Sequence, residues 1–121
     1  MNQPSIFTKI IEREIPATIY FEDDMFIAIK DIHPMAPVHA LLITKEPYET
    51  LEEVALEDAQ FHQKLLQTAR VVARKLNIQD NYKLVMNVGK QVQQVPHIHM
   101  HILGGWDQTK QSTEIDAESA I

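Results

Sequence analysis

Three histidines alternate with apolar residues near the C-terminal end of the chain, in the segment Pro-His-Ile-His-Met-His-Ile-Leu at residues 96–103. Side chains of a β-strand point alternately to its two faces. In a strand, His97, His99 and His101 would therefore share one face, and the apolar residues between them would face the core. Three imidazoles in a row predict a site that binds or attacks a ligand.

Two kinds of chemistry suit such a row of imidazoles. A neutral imidazole nitrogen can attack phosphorus and form a covalent phosphohistidine-type intermediate, and a pKa of about 6.5 leaves the ring mostly neutral at pH 7. Three histidines with an open fourth position also form one kind of catalytic zinc site. Three histidines on one strand close on a single ion less easily, but the spacing alone leaves both chemistries open.

Composition narrows the class of protein. The length of 121 residues predicts one domain, and the formal net charge of −6 argues against a broad basic surface for nucleic acid. The chain has no cysteine, which excludes a thiolate nucleophile and a zinc site with cysteine ligands. No apolar run approaches the roughly 18 residues of a membrane span, and no secretory signal is recognisable. We therefore expect a cytoplasmic protein that binds neither nucleic acid nor membranes.

The apolar periodicity predicts an α+β fold in which strands position the histidines. Ser5 is a candidate N-cap for a short helix at 6–13. The Thr-x-x-Glu pattern at Thr50 predicts a long helix to about Leu76, and its first part, 51–58, could be a separate short turn. Strands are predicted at residues 17–22, 25–30, 38–44, 82–88 and 97–103.

The histidine segment resembles the His-φ-His-φ-His-φ-φ signature of the histidine triad (HIT) superfamily. Further segments are similar to its Hint branch of purine nucleoside phosphoramidases, at 6–11, 14–17, 21–24, 31–34, 36–39, 86–89 and 103–105. The resemblance covers residues 4–106 as one HIT domain and leaves 107–121 as a polar C-terminal tail. It implies a five-stranded antiparallel sheet with one long and one short helix, extended by homodimerisation through the long helix and a sheet edge.

The resemblance also implies an activity. A HIT hydrolase of the Hint branch would cleave at the α-phosphorus of a purine nucleoside phosphoramidate or acyl-adenylate and release a nucleoside monophosphate. His99 corresponds to the nucleophile, which forms a nucleotidyl-histidine without a metal or other cofactor. His97 and His101 would orient its ring and contact phosphate, and His39 corresponds to a further active-site histidine on the neighbouring strand.

The substrate-binding residues follow from the same resemblance. The carboxylate of Asp31 would accept the ribose hydroxyls, which suits its free lone pairs. Asn87 would bond near the phosphate ester, and Gln93 belongs to the loop that contacts the phosphate and the leaving group. Apolar residues would form the slot for the purine base; these are Ile6, Phe7, Ile10, Ile15 and Ile32.

The chain departs from the family pattern around that loop. Val92 stands where glycine is usual, Gln94 stands where some members have serine, and the loop is one residue short. Pro47 replaces a usual histidine. The leaving group is therefore open, and a dinucleoside polyphosphate hydrolase of the same superfamily is an alternative. Two further candidates are a nucleotide-binding scaffold protein with incidental catalysis and a metal-dependent hydrolase that uses the three triad histidines as ligands.

Overall fold

The computed structural model describes residues 4–106, so the predicted tail at 107–121 lies outside the described residues. Five strands form one antiparallel sheet in the order β1-β2-β3-β5-β4, which confirms the predicted fold. The elements are α1 (Ile6–Ile11), β1 (Ile19–Glu22), β2 (Phe26–Lys30), β3 (Val38–Thr44), α2 (Ala59–Lys75), β4 (Tyr82–Val85) and β5 (His99–Gly104), with a 3₁₀ turn at Leu51–Glu53 between β3 and α2.

Several predicted boundaries differ from the structure. The short helix ends at Ile11 rather than at residue 13, and the fourth strand ends at Val85 rather than at residue 88. The last strand begins at His99 rather than His97, because the His97 amide donates to the Val95 carbonyl at 2.9 Å in a tight turn around Pro96, a residue with no N–H for a strand ladder. The long helix begins at Ala59, where the Asp58 carboxylate caps it by accepting from the Phe61 amide at 3.0 Å. The segment before it therefore forms the separate turn that the sequence left open.

The sheet has a buried side chain layer on each face. On one face, α2 packs its apolar stripe against the sheet, and Ile98, Met100 and Ile102 belong to this layer. On the other face, Phe7 and Ile10 of α1 join a smaller cluster of isoleucines and leucines from β2 and β3. Because residues of β5 alternate, its histidines lie on the α1 side, as the period-two pattern predicted.

Several histidines are part of this buried interior. His97 is 1% exposed, His39 3% and His99 7%. Burial is the main cause that lowers the pKa values of His39, His97 and His101, since the charged imidazolium loses its hydration inside the protein. The folded state therefore holds these rings neutral.

We predict that the free energy of unfolding falls on acidification from pH 7.5 to pH 5. Between the lowered folded pKa values and the unfolded value near 6.5, the unfolded chain binds more protons, so stability is lost as the pH falls through this window. The slope is at most about 1.4 kcal/mol per pH unit for each histidine. Urea unfolding at several pH values measures it.

The variant His39→Gln should reduce this slope, whereas His33→Gln, in an exposed loop position, should leave it unchanged. A hydrogen bond with Glu14 raises the pKa of the exposed Glu12 above its usual 4.5, but Glu12 is unchanged in both variants and so does not affect their comparison. Lys45 and Arg13 lower the pKa of Glu22 below its usual 4.5, so its contribution is lost only at lower pH. Stability that is constant from pH 7.5 to pH 5 would contradict neutral burial of the histidines.

Candidate active site

Strands β3 and β5 bring the histidines together. The two strands are antiparallel neighbours in which Leu41 lies opposite His101. His39, two residues before Leu41, therefore projects from the same face of the sheet as His101. The ring centroids of His39 and His101 are 5.1 Å apart, and those of His99 and His101 are 5.3 Å apart. The four predicted site histidines thus form one cluster, in which His97 and His99 also contact Phe7 of α1.

The ring of His99 has a defined proton position. Its Nδ1 lies 2.8 Å from the backbone carbonyl oxygen of His97. A carbonyl only accepts hydrogen bonds, so Nδ1 carries the proton and donates. In the neutral ring the lone pair is then on Nε2. The ring of Phe7 packs against this ring in an edge-to-face arrangement with 5.0 Å between the centroids, which restrains its orientation.

His97 makes a hydrogen bond with each ring nitrogen. Its Nε2 donates to the carbonyl oxygen of Thr44 at 2.8 Å, and its Nδ1 lies 2.7 Å from the hydroxyl oxygen of Ser5. Because the Nε2 proton is fixed by a carbonyl, the neutral ring accepts at Nδ1 and Ser5 donates. Both ring nitrogens of His97 thus bond to other groups of the protein. The expected contact of His97 with phosphate would therefore require one of these hydrogen bonds to break.

His39 and His101 form a second chain of hydrogen bonds. The Met35 amide donates to Nδ1 of His39 at 3.1 Å, which leaves the proton of the neutral ring on Nε2. This Nε2 lies 2.9 Å from Nδ1 of His101 and 3.3 Å from Oδ2 of Asp31. Along the shorter contact, His101 accepts at Nδ1 and keeps its own proton on Nε2.

Electrostatics around His101 favour the neutral ring. After burial, the charges of His99 and His39 also lower the pKa of His101, while Asp31 opposes them. For His39, burial lowers the pKa and Asp31 again acts in the opposite direction. A neutral His101 offers its Nε2–H as a hydrogen-bond donor for an anion such as a phosphoryl group.

The predicted ribose and phosphate residues lie in loops. Asp31 follows β2, and its Oδ1 accepts from the His33 amide at 2.8 Å. Asn87 follows β4 and is exposed. The Gln93 amide bonds to backbone on three sides, accepting from the Gly89 amide at 2.7 Å and donating to the carbonyls of residues 49 and 95 at 2.9 and 3.1 Å. In this structure Gln93 therefore ties its own loop together.

The apolar residues predicted for the base slot divide by exposure. Phe7 and Ile10 are buried, and Ile15 packs against the cluster that contains them. Ile6 is 49% exposed and Ile32 is 80% exposed. The two exposed isoleucines can therefore offer apolar surface to a ligand, whereas Phe7 packs against the rings of His97 and His99.

A metal ion would be held by a different set from the three triad histidines. Asp31, His39 and His101 offer ligand atoms that all lie within 4.8 Å of one another. Nitrogen and carboxylate ligands suit zinc and other transition metals. Since both nitrogens of His97 already have protein partners, this residue is not available to complete a site formed by the triad alone.

Three contacts of the site were not predicted as functional. Ser5 was expected only to cap a helix, and Thr8 and Thr44 were not singled out, yet all three lie within 3.5 Å of a His97 ring nitrogen. The sequence identifies Ser5 only by its position just before a predicted helix. Nothing in the sequence indicates that this position faces a residue 92 positions later along the chain.

Comparison with known proteins places the chain in a family. The model of the HIT domain matches residues 12–108. An uncharacterized HIT-like protein of Synechocystis is 50% identical over 106 residues, which cover 87% of this chain and 93% of that protein. Purine nucleoside phosphoramidase of Escherichia coli is 41% identical over 107 residues, which cover 87% of this chain and 90% of that protein. Adenylylsulfatase HINT1 of Arabidopsis thaliana is 41% identical over 107 residues, which cover 86% of this chain and 73% of that protein.

Solved structures agree with this placement. A HIT family hydrolase from Clostridium thermocellum superposes with a TM-score of 0.80 at 43% identity, covering 90% of this chain and 96% of that one. No helix in the described part of the chain is long and apolar enough to cross a membrane. From its sequence, its five-stranded fold and its histidine cluster, the chain belongs to the HIT family and is a hydrolase of that family.

Proposed function

We propose that this protein hydrolyses purine nucleoside phosphoramidates or acyl-adenylates at the α-phosphorus, through a nucleotidyl intermediate on His99. The observation that carries the proposal is the hydrogen bond from His99 Nδ1 to the His97 carbonyl, which leaves the Nε2 lone pair for attack. Two relatives at 41% identity, named purine nucleoside phosphoramidase and adenylylsulfatase, support this substrate class. The cytoplasmic location predicted from the sequence remains part of the proposal.

The first step forms the bond between Nε2 of His99 and the α-phosphorus and breaks the bond from phosphorus to the leaving group. The amine or carboxylate departs with the electron pair, and the amine takes a proton from solvent. His99 then carries a positive ring with phosphorus on Nε2 and hydrogen on Nδ1. The His97 carbonyl accepts that hydrogen bond at 2.8 Å and stabilises the charge that develops on the ring.

His101 would stabilise the phosphoryl oxygens in this step. Its Nε2–H is held available because His39 donates to its Nδ1 at 2.9 Å and the Met35 amide fixes the proton position of His39. In the second step, water attacks phosphorus and the bond to Nε2 breaks. The nucleoside monophosphate leaves, one proton of the water is released, and His99 regains its lone pair.

The nucleoside part would be recognised beside the histidines. Asp31 follows β2 with its Oδ2 3.3 Å from His39, so a ribose bound to this carboxylate would place its phosphate near the cluster. Ile32 and Ile6 would contact the base, over the buried Phe7 and Ile10 and the partly buried Ile15. Asn87 and the loop tied by Gln93 would lie toward the phosphate ester and the leaving group.

A homodimer is also part of the proposal. In the described chain the outer edge of β4 has no neighbouring strand, since β4 is last in the sheet order. Val85 at this edge and Val88 just after the strand are each 39% exposed, and Leu66 and Val71 of α2 are 54% and 46% exposed. A second copy that pairs with β4 would cover the unpaired backbone groups and these apolar side chains.

Wild-type protein mixed with adenosine 5′-phosphoramidate should form an adenylyl adduct that rapid quench and intact mass spectrometry detect. His99→Ala should form no adduct and should turn over at least about a thousand times more slowly, because the covalent route is lost. The matched control His62→Ala removes a histidine of α2 and should retain wild-type turnover. Equal adduct on His99→Ala would overturn the mechanism.

A second prediction separates ribose recognition from chemistry. Replacing the ribose of the substrate by its 2′,3′-dideoxy form should lower kcat/KM of the wild-type enzyme by about 10- to 100-fold, as expected for hydrogen bonds to a charged group. In Asp31→Asn the ratio of kcat/KM for the ribose substrate to kcat/KM for the dideoxy substrate should fall toward one. Asp24→Asn, in the exposed turn between β1 and β2, should keep the ratio. If Asp31→Asn keeps the wild-type ratio, Asp31 does not bind the ribose.

Sedimentation velocity should show wild-type protein at twice the mass of one chain. Val85→Lys should dissociate it, because the two-fold arrangement would bring a charge from each copy into a desolvated edge. Leu56→Lys changes a side chain that is 82% exposed and should leave the mass unchanged. A monomeric wild-type protein at micromolar concentration would contradict the dimer.

A further inference from the structure

The first residue of interest lies at the start of α1, far in sequence from the histidines. Ser5 is the N-cap of this helix, and its side chain oxygen accepts from the Thr8 amide at 3.1 Å. The same oxygen lies 2.7 Å from Nδ1 of His97. The Thr8 hydroxyl is more distant from that nitrogen, at 3.5 Å. One hydroxyl thus caps the helix and bonds to the triad.

The hydrogen bond has a defined direction. Nε2 of His97 donates to the Thr44 carbonyl, so Nδ1 of the neutral ring is an acceptor. The Ser5 hydroxyl supplies the donor, and its oxygen still accepts from the Thr8 amide. Since His97 is 1% exposed, the loss of this donor would leave a buried nitrogen with only the long contact to Thr8.

His97 transmits this constraint to His99. The ring of His97 is fixed between the start of α1 and the end of β3. Its carbonyl accepts from Nδ1 of His99 and sets which nitrogen of that ring carries the lone pair. Phe7, two residues after Ser5, packs edge-on against both rings, at centroid distances of 5.8 Å and 5.0 Å.

We propose that Ser5 is a positioning residue for catalysis, whose hydroxyl holds the neutral ring of His97 against the Thr44 carbonyl and, through the His97 carbonyl, keeps His99 in its reactive orientation. This inference rests on the proposed function for its effect on rate. The protonation and orientation of the His97 and His99 rings can be measured without substrate. The role differs from helix capping, because capping needs an acceptor and the contact with His97 needs a donor.

Substitutions at Ser5 separate the two roles. Ser5→Asp keeps a good N-cap acceptor, but a carboxylate cannot donate to Nδ1 and instead favours a protonated ring. We expect it to raise the pKa of His97. Ser5→Thr keeps both the acceptor and the donor and should behave as wild type. Ser5→Ala with Thr8→Val removes both hydroxyls near Nδ1.

The experiment combines two measurements on the free and reacting protein. Nitrogen-15 NMR of the imidazoles reports the tautomer and protonation of His97 and His99 between pH 5 and pH 8. Single-turnover adenylyl transfer from adenosine 5′-phosphoramidate reports the rate of attack. In Ser5→Asp, His97 should be protonated at neutral pH, the His99 signals should shift, and the rate should fall by about 10- to 100-fold, as for a small misplacement of a reacting group. Ser5→Thr should show the wild-type imidazole signals and the wild-type rate.

A matched control comes from the other helix cap. Asp58→Ala removes the N-cap of α2 and should lower Tm by roughly the same few degrees as the Ser5→Ala, Thr8→Val variant. It should leave the imidazole signals and the single-turnover rate unchanged. A rate loss in Asp58→Ala that matches its loss of Tm would show that capping alone explains Ser5.

Two results would overturn the inference directly. Wild-type imidazole signals in Ser5→Asp, or a wild-type rate in the variant that lacks both hydroxyls, would exclude a positioning role. If the wild-type protein forms no adduct, the proposed function fails. The NMR comparison still decides whether Ser5 sets the state of His97 and His99.

Discussion

The site depends first on one hydrogen bond, from Nδ1 of His99 to the backbone carbonyl of His97, at 2.8 Å. A backbone carbonyl cannot change its protonation state, so it fixes the proton of His99 more firmly than a titratable side chain would. The nitrogen that remains for chemistry is then Nε2. The ring of His97 on one side and the ring of Phe7 on the other hold this donor and this acceptor in place.

Burial of several imidazoles would be unfavourable unless their nitrogens were paired. Among residues 4–106, every buried side chain nitrogen or oxygen has a hydrogen-bond partner. The pairing runs in two chains that begin at backbone groups with fixed roles. The Thr44 carbonyl sets His97, and the Met35 amide sets His39 and then His101. Backbone groups of the fold thereby decide which nitrogen of each of these rings carries the proton, and burial lowers the pKa values of His39, His97 and His101.

Much of this arrangement could be predicted from sequence, because it follows from periodicity. Alternation along β5 placed Met100 in the core and His99 and His101 on the opposite face. The start of the strand could not be derived in this way, since the turn around Pro96 depends on a local hydrogen bond to the Val95 carbonyl. The Ser5 contact was also out of reach. Capping signals act within one helical turn, whereas tertiary packing decides what a capping hydroxyl meets.

The same geometry bears on the choice between covalent and metal chemistry that the spacing left open. The three triad histidines do not converge as ligands, because His97 uses both nitrogens within the protein. Asp31, His39 and His101 do converge. Their facing atoms, Nε2 of His39 and Nδ1 of His101, are the two that share a proton at 2.9 Å. A metal ion bound there would displace this proton and remove the contact that orients His101. Metal binding and orientation of His101 by His39 therefore compete for the same atoms.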